Sequence, residues 1–500
     1  MADPQIQRSS PQTEPDADSQ QVRSLGMNTE FARDMSPWAN FSLGFTYLSP
    51  VAGVYVLFAF ALATAGPPMI WSFAIAGVGQ LLVALIFGEV VSQFPLAGGV
   101  YPWARRLWGR KFAWMTGWIY LLALLVTIAS VAYGAGPFVA AVLGLEPSTK
   151  LVILCALILL ALATGINFAG TRVLSIAAMF GFAAELAGAL VVGGWLLIFE
   201  RHHGLGVLFD NFRPAGESSY FAAFAAAALI GIFQYYGFEA CGDVAEEVKN
   251  PGRVIPQAMK RTIYIGGAAA TFVCLALILS VADIPAVISG VDTNPVNATL
   301  EQAFGTPGAR IVQGIVLISF LSCVTSLQAA ASRLAYAYGR DDMIIGSKYL
   351  KVFSHARRVP PYALIVAALA PALIIVGSSV SADALTKIVS FAAFGIYLAF
   401  QMVVLAALRA RIRGWVPSGT FTLGRWGLLI NVGAIGYGVV ALVNMCWPRT
   451  PGAPWYDNWI VALSGAVVVV SGVLYLWLRR PHAASDAPYS DAIPADRRTE

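Results

Sequence analysis

The chain has 500 residues, of which 58% are hydrophobic and only 12% are charged, with a formal net charge of +5. Soluble domains carry roughly 25% charged residues, so this composition excludes a soluble globular protein and predicts a polytopic protein of the lipid bilayer. At about 20 residues for each helical span, the length allows about a dozen spans and leaves little room for a soluble domain.

Three residue patterns exclude further classes. The five cysteines all fall within apolar runs, which argues against a disulfide scaffold. The four histidines lie outside the predicted spans, which argues against haem or zinc held within the membrane. The sequence has no Gly-x-x-x-x-Gly-Lys-Ser/Thr loop for ATP phosphates. We therefore predict no cofactor and no metal.

The hydropathy pattern divides the chain into two polar tails and one membrane domain. Residues 1–36 and residues 481–500 are predicted to be disordered cytoplasmic tails. Residues 37–480 form the predicted transmembrane domain. Its apolar runs lie at about 41–64, 68–91, 112–141, 151–167, 173–199, 219–245, 262–282, 309–336, 361–379, 384–408, 426–447 and 458–478. The sequence thus predicts an all-α integral membrane protein with about twelve transmembrane helices.

Basic residues are concentrated in the connections that follow even-numbered runs. These clusters include Arg105, Arg106, Arg110 and Lys111, then Lys249, Arg253, Lys260 and Arg261, and later Arg340, Lys348, Lys351, Arg357 and Arg358. By the positive-inside rule, the protein is predicted to span the cell membrane with both termini cytoplasmic. Their placement explains the net charge without a nucleic-acid partner.

The sixth run ends in two glycines and two carboxylates. A helix that continued through Phe238 would place Glu239 and Asp243 on one face, at a depth where an ionised carboxylate is costly. Gly237 and Gly242 would let the backbone open, as in the broken helices that form transporter sites. The alternative is that the span ends near Gly237 and the acids lie in a loop.

The first run carries a similar interruption. Residues 49–53 read Ser-Pro-Val-Ala-Gly, and a proline cannot donate its backbone hydrogen bond. Two interruptions five helices apart predict an inverted repeat, residues 41–199 against residues 219–408, followed by two extra helices at 426–478. Either interruption alone is weak evidence, because proline and glycine are common in membrane helices.

Three motifs in order resemble the amino acid, polyamine and organocation permease superfamily. They are Phe-Pro-Leu-Ala-Gly-Gly-Val-Tyr-Pro-Trp-Ala at 94–104, Glu-Glu-Val-Lys-Asn-Pro at 246–251, and Ser332-Arg333 with Gly-Arg-Asp-Asp at 339–342. Within it, Ser49-Pro50 and Gly66-Pro67-Pro68 resemble the amino acid/choline transporter family. The match covers roughly residues 38–410.

The resemblance implies a LeuT-like fold in which opened backbone of spans one and six binds an amino acid. Carried over by position, the substrate-binding residues are Ser49, Pro50, Val51, Ala52, Gly53, Tyr236, Gly237, Phe238, Glu239, Ala240, Cys241 and Gly242. Asp243 is added as a partner for a second cationic centre of an amine substrate, or else it lines the cytoplasmic exit.

Glu185 is a further acid within an apolar run. A proton-coupled relative of the superfamily carries a lysine at what looks like the same place, so this chain departs from that pattern. Because a carboxyl group removed from water favours its neutral form, Glu185 could load and release a proton or pair with a substrate amine. The alternative is a neutral acid with a purely structural hydrogen bond. Glu89 is interpreted as a helix-end partner for nearby cations.

A cytoplasmic gate is predicted from charged residues near the inner ends of the spans. Glu246 and Glu247 would pair with basic residues drawn from Arg105, Arg106, Arg333 and Arg340. Only a network of such pairs would hold a gate shut, because single surface pairs are weak.

The sequence favours a secondary transporter that takes up amino acids or related amines by alternating access, driven by protons. The substrates considered are gamma-aminobutyrate, choline, ethanolamine and polyamines. An exchanger of the same fold is the alternative. An integral-membrane enzyme is less favoured because the spans lack histidine, and a channel because no continuous polar pore lining is evident.

Overall fold

The first half of the chain forms five apolar helices, TM1 to TM5. The computed structural model describes residues 17–27, 30–212, 220–378, 384–449 and 452–497. TM1 consists of two helices in series, Pro37–Leu48 (TM1a) and Pro50–Ala65 (TM1b). They are followed by TM2 (Trp71–Gln93), TM3 (Arg110–Gly134), TM4 (Thr149–Phe168) and TM5 (Thr171–Phe199). A short helix, Val100–Leu107, connects TM2 to TM3.

The second half forms TM6 to TM12. TM6 begins with Tyr220–Gln234 (TM6a), breaks at residues 235–239 and resumes as the short helix Ala240–Asp243 (TM6b). The remaining helices are TM7 (Pro251–Ser280), TM8 (Pro295–Arg340), TM9 (Pro361–Gly377), TM10 (Ala384–Ile412), TM11 (Gly427–Cys446) and TM12 (Ile460–Arg479).

These helices confirm the predicted fold class. Within the described residues, ten helices are long and apolar enough to cross a membrane, and TM6a and TM9 are shorter apolar helices. TM7 begins at residue 251 instead of 262, and TM8 at residue 295 instead of 309. Hydropathy marks only the apolar part of a helix, whereas both helices continue into polar sequence. TM8 is kinked at Gly305, which has φ 63° and ψ 170°.

The helices differ in how deeply they are buried. In the most apolar window, 78% of TM3 and 72% of both TM1 and TM8 are buried within the protein, compared with 28% of TM11 and 17% of TM12. TM1, TM3 and TM8 therefore form the centre. TM11 and TM12, the two extra helices, lie at the periphery and expose apolar side chains, as lipid contact requires.

Both predicted interruptions are real breaks in the helices. TM1 breaks at a single residue, Ser49, which adopts a left-handed conformation (φ 44°, ψ 84°) directly before Pro50. TM6 breaks over five residues around Gly237, whose φ is 110°. Glycine adopts such an angle without steric cost. The two breaks face each other, because a β-carbon on Gly237 would lie 2.6 Å from the backbone nitrogen of Leu48.

The described parts of both predicted tails contact the rest of the protein. Residues 17–24 form a helix, and Met35 pairs with Val248 in an isolated β-bridge. At the other end, Ser490 and Ile493 are buried. A polar composition predicted disorder, whereas residues 22–27 and 485–493 pack against the membrane domain. They do so on one face, which we call the terminal face, as an even number of spans requires.

Candidate functional site

The break in TM1 leaves backbone carbonyls that side chains of other helices satisfy. Gln234, the last residue of TM6a, donates from Nε2 to the carbonyl oxygen of Leu48 at 3.0 Å. The thiol of Cys323 in TM8 contacts the carbonyl oxygen of Tyr47 at 3.2 Å. These carbonyls would otherwise be unpaired at the end of a helix. The break is therefore held open by TM6 and TM8.

Glu185 of TM5 binds the other side of the same break. Its Oε1 accepts hydrogen bonds from the Ser49 hydroxyl at 2.7 Å and from the Val51 amide at 3.0 Å. The amide of Ala52 donates to Ser49 Oγ at 3.3 Å. Amides at a helix N-terminus attract negative charge, so a carboxyl group is well placed there. Glu185 Oε2 is buried and has no hydrogen-bond partner among the described residues.

In the break of TM6, the side chain of Glu239 binds a backbone amide of the same segment. Its Oε2 accepts a hydrogen bond from the Gly237 amide at 2.7 Å. Asn40 of TM1a donates from Nδ2 to the carbonyl oxygen of Cys241 at 2.9 Å, which ties TM6b to TM1a. A polar side chain thus crosses between the two broken helices in each direction.

Glu239 and Asp243 lie on one face, as their spacing predicts, and both contact Tyr120 of TM3. The Tyr120 hydroxyl lies 3.2 Å from Glu239 Oε1 and 3.1 Å from Asp243 Oδ2. Both carboxyl groups are fully buried. No basic side chain in the described part of the chain forms an ion pair with either acid. TM6a ends before Gly237, so Glu239 lies in the break and Asp243 in the short helix TM6b, and both acids are buried.

A narrow cavity lies between the two breaks. Its walls come from TM1, TM3, TM6 and TM8, and four predicted substrate-binding residues line it: Ser49, Ala52, Gly53 and Tyr236. The other predicted positions do not: Pro50, Val51, Gly237, Phe238, Glu239, Ala240, Cys241, Gly242 and Asp243 lie around it or further along TM6. Thr127 of TM3 and Gln234 add polar groups at or beside the cavity.

A buried ion-pair network lies at the terminal face. Arg333 forms a two-pronged pair with Glu247, with Nε–Oε1 at 2.8 Å and Nη2–Oε2 at 3.2 Å. Arg340 contacts both oxygens of Glu246 at 2.9 and 3.1 Å. Thr171 at the start of TM5 donates to Glu247 Oε2 at 2.6 Å. The network therefore joins TM5, TM6 and TM8.

Two predicted gate residues have other partners. Arg105 pairs with Asp341, directly after TM8, and Arg106 pairs with Asp491 of the C-terminal tail. Burial lowers the pKa of Arg105 to about 10, which leaves it charged at neutral pH. Spacing along the chain indicates that charges are close, but not which acid each arginine meets.

Other important residues gave little or no signal in the sequence. Tyr120 is one of many aromatic residues in apolar runs, so nothing marked it as a partner of two acids. Gln234 is an amide at the end of an apolar run and could have been singled out as a buried polar group. Glu89 pairs with Arg411 and accepts from the Leu423 amide at 2.7 Å, which agrees with a helix-end role.

Within the described ranges, no group of three or more histidine, cysteine, aspartate or glutamate side chains is placed to hold a metal ion. What the site offers is broken backbone, a small cavity and buried acids.

Comparison with known families decides the assignment. The profile of a family described as "Amino acid permease" matches residues 36–473. The chain belongs to this family. The match confirms the resemblance to the amino acid, polyamine and organocation superfamily, whose LeuT-like fold agrees with the two broken helices of the permease.

Similar proteins occur in plants and in bacteria. The permease is 28% identical to "Amino-acid permease BAT1 homolog" of Oryza sativa subsp. japonica over 83% of its own chain and 84% of the relative. It is 26% identical to "Amino-acid permease BAT1" of Arabidopsis thaliana over 93% and 95% of the two chains. It is also 26% identical to "Branched-chain amino acid permease BcaP" of Lactococcus lactis over 71% and 77%.

Proposed function

We propose that the permease is a secondary active transporter that takes up amino acids or related amines by alternating access, coupled to protons. The family supports an amino acid as the transported class. One observation carries the rest: two broken helices meet at a small cavity that both of them line. Broken helices at the centre of a membrane protein form the substrate sites of many secondary transporters.

An unsatisfied polar atom beside the cavity supports binding of the substrate's ammonium group. Gln234 Oε1 is buried without a hydrogen-bond partner in the described part of the chain. A buried acceptor without a donor is unfavourable, and an ammonium group supplies donors. The cavity residues Ser49, Ala52, Gly53 and Tyr236 are the proposed first contacts of the substrate.

The acids of TM6 favour substrates that carry an amine. One ionised carboxylate of the pair Glu239 and Asp243 would create negative potential beside the cavity, and no basic side chain in the described part of the chain forms an ion pair with either acid. Such a field favours amino acids with a second amine, and amines of the gamma-aminobutyrate, choline, ethanolamine or polyamine type, over acidic amino acids.

The closed network on the terminal face supports alternating access. Arg333–Glu247 and Arg340–Glu246 seal this face, so release of substrate there requires both pairs to separate. By the positive-inside rule we assign this face to the cytoplasm of the cell membrane, which makes the closed network the inner gate.

Glu185 is the proposed proton-coupling residue, and its replacement tests the coupling. Glu185→Gln keeps an acceptor for Ser49 and Val51 but removes the proton-binding site. We expect uptake driven by a pH gradient to fall on the order of tenfold, while exchange of internal for external substrate continues. Glu200→Gln at the end of the same helix is the matched control, because Glu200 lies just past TM5.

The overall proposal is tested by uptake into proteoliposomes. A panel of radiolabelled amino acids and amines is offered with and without an inward proton gradient. Accumulation that requires the gradient supports the proposed symporter. Uptake that depends only on substrate inside the vesicles would replace it with the alternative, an amino acid or amine exchanger. Chemical conversion of the substrate would identify an enzyme instead.

A further inference from the structure

We infer that Tyr120, Glu239 and Asp243 form a second proton site of the permease, in which the tyrosine hydroxyl transfers a proton between the two acids. This inference rests on the proposed proton-coupled transport and adds to it a residue of TM3. It starts from a hydrogen-bond count. The Tyr120 hydroxyl lies within 3.2 Å of one carboxyl group and 3.1 Å of the other.

A hydroxyl has one proton to donate, so Tyr120 cannot donate to both acids at once. If it donates to Glu239, the contact with Asp243 is favourable only when Asp243 carries a proton and donates to Tyr120. The reverse arrangement exchanges the roles of the two acids. In either case the three side chains hold one proton beyond that of the tyrosine, and this proton belongs to the pair of acids rather than to one of them.

The shared proton is the positive charge available to neutralise one of the two acids. The other titratable groups facing the acids are Tyr47 of TM1a, Tyr236 and Cys241 of TM6 and Tyr397 of TM10. None of these is a base that is positively charged at neutral pH. Two ionised carboxylates without a cation would be costly at this depth.

The transfer itself is balanced. Asp243 gives its proton to the Tyr120 oxygen as Tyr120 gives its own proton to Glu239. The hydroxyl is restored, and the net change is one proton moved from Asp243 to Glu239.

The two acids face different parts of the protein, which gives the transfer a direction. Glu239 binds the Gly237 amide in the break of TM6. Asp243 lies under the loop before Val100–Leu107, because its carbonyl accepts from the Gly98 amide at 2.9 Å. Its Oδ1 is buried and has no hydrogen-bond partner among the described residues. The site thus connects the break of TM6 with the loop before Val100–Leu107.

The test measures protons moved per substrate in proteoliposomes with a pH-sensitive dye inside. We expect Asp243→Asn to lower this ratio by about one proton while Glu185 is still present, because each coupled site contributes separately. Tyr120→Phe should slow net uptake roughly tenfold and leave substrate exchange intact, which also shows that the variant is folded. Tyr133→Phe in the same helix is the control.

Three outcomes overturn the inference without touching the proposed function. The first is that Asp243→Asn moves as many protons per substrate as the wild type, while Tyr120→Phe shows unchanged net uptake. A lower substrate affinity in both variants at an unchanged ratio would assign the acids to the substrate amine. A loss of exchange equal to the loss of net uptake would make the role structural. Failure of the wild type to move protons with any substrate would instead overturn the proposed coupling.

A separate set of contacts carries a second inference: we propose that the C-terminal segment 485–493 is a clasp that holds the inner gate closed. Asp491 pairs with Arg106, and the amides of Ser490 and Ala492 donate to the carbonyls of Arg105 and Arg106 at 3.0 and 3.3 Å. The C-terminal segment thus binds the helix Val100–Leu107. Arg105 of the same helix pairs with Asp341, directly after TM8.

The N-terminal tail shares the same arginine. Arg106 donates to the Leu25 carbonyl at 2.5 Å as well as to Asp491. Further along this tail, the Met35 amide donates to the Glu247 carbonyl at 3.0 Å, directly at the gate. Both tails therefore hold elements that must move when the inner gate opens.

Neutralising Asp491 tests the clasp in the full-length protein. We expect Asp491→Asn to raise the maximal uptake rate several-fold, because it weakens a contact that stabilises the closed state seen in this structure. Asp486→Asn, an exposed acid in the same segment, is the matched control. Uptake of Asp491→Asn equal to that of the control, or lower uptake with a lower unfolding temperature, would overturn the clasp. Absence of uptake by the wild type would instead speak against the proposed function.

Discussion

Replacing Gly237 with alanine is expected to abolish uptake, with a loss of at least about a hundredfold, or ~2.7 kcal/mol. Gly237 has φ 110°, an angle that an L side chain rarely adopts. The new β-carbon would lie 2.6 Å from the Leu48 nitrogen and 3.0 Å from Leu48 Cα, both of which are backbone. Neither backbone atom can rotate away, so the breaks of TM1 and TM6 would have to separate.

The same substitution at another membrane glycine isolates this effect. Gly194 lies within TM5, and a β-carbon added there would have no neighbouring atom within 4 Å. Gly194→Ala should therefore retain uptake. Its unfolding temperature should equal or slightly exceed that of the wild type, because alanine has a better helix propensity than glycine. Both variants are compared by uptake into proteoliposomes and by unfolding in detergent. Wild-type uptake by Gly237→Ala would mean that the breaks need not meet.

Hydropathy and glycine spacing were sufficient to predict the breaks. A proline within an apolar run removes one backbone donor, and glycine next to buried acids permits an unusual φ. Both signals are local, so one sequence reveals them. Clustering of charge near the inner ends of the spans likewise predicted that Glu246 and Glu247 pair with arginines, but not which of the four candidates each acid binds.

The tertiary partners could not be predicted in the same way. Tyr120 is 119 residues before Glu239 in the chain, and no local pattern connects them. The contacts of the tails were not predictable either, because composition indicates whether a segment can form its own core, not whether another part of the protein offers it a surface. Asp491, 385 residues from Arg106, is held by such a surface.

The ion pair at the proposed gate is buried far more deeply than ordinary surface charges are. Arg333 and Glu247 are almost completely removed from water, with side-chain exposures of 0% and 1%. Opening the gate must return both charges to water, where they are strongly solvated. Separation is therefore far less costly than the loss of one partner inside the closed protein. This difference makes a buried pair suitable for a gate that opens repeatedly.

Removing one partner of that pair should accordingly destabilise the closed permease by about 3–5 kcal/mol. Arg333→Met leaves Glu247 without its cation, with only the Thr171 hydroxyl and a buried environment around it. We expect a markedly lower unfolding temperature in detergent and loss of gradient-driven uptake. The double variant Arg333→Met/Glu247→Gln removes both charges and should recover most of the stability, while uptake stays low because the paired gate is gone.

An exposed pair in the same region provides the control. Lys351 and Asp342 lie 2.9 Å apart, but their side chains are 45% and 53% exposed. Exposed pairs contribute about 0–1 kcal/mol, so Lys351→Met should unfold close to the wild-type temperature. If Arg333→Met behaves like Lys351→Met, water must reach Glu247 in the resting protein, and the network cannot be the closed gate. If the double variant is as unstable as the single one, the loss comes from packing around Arg333 and not from the unpaired charge.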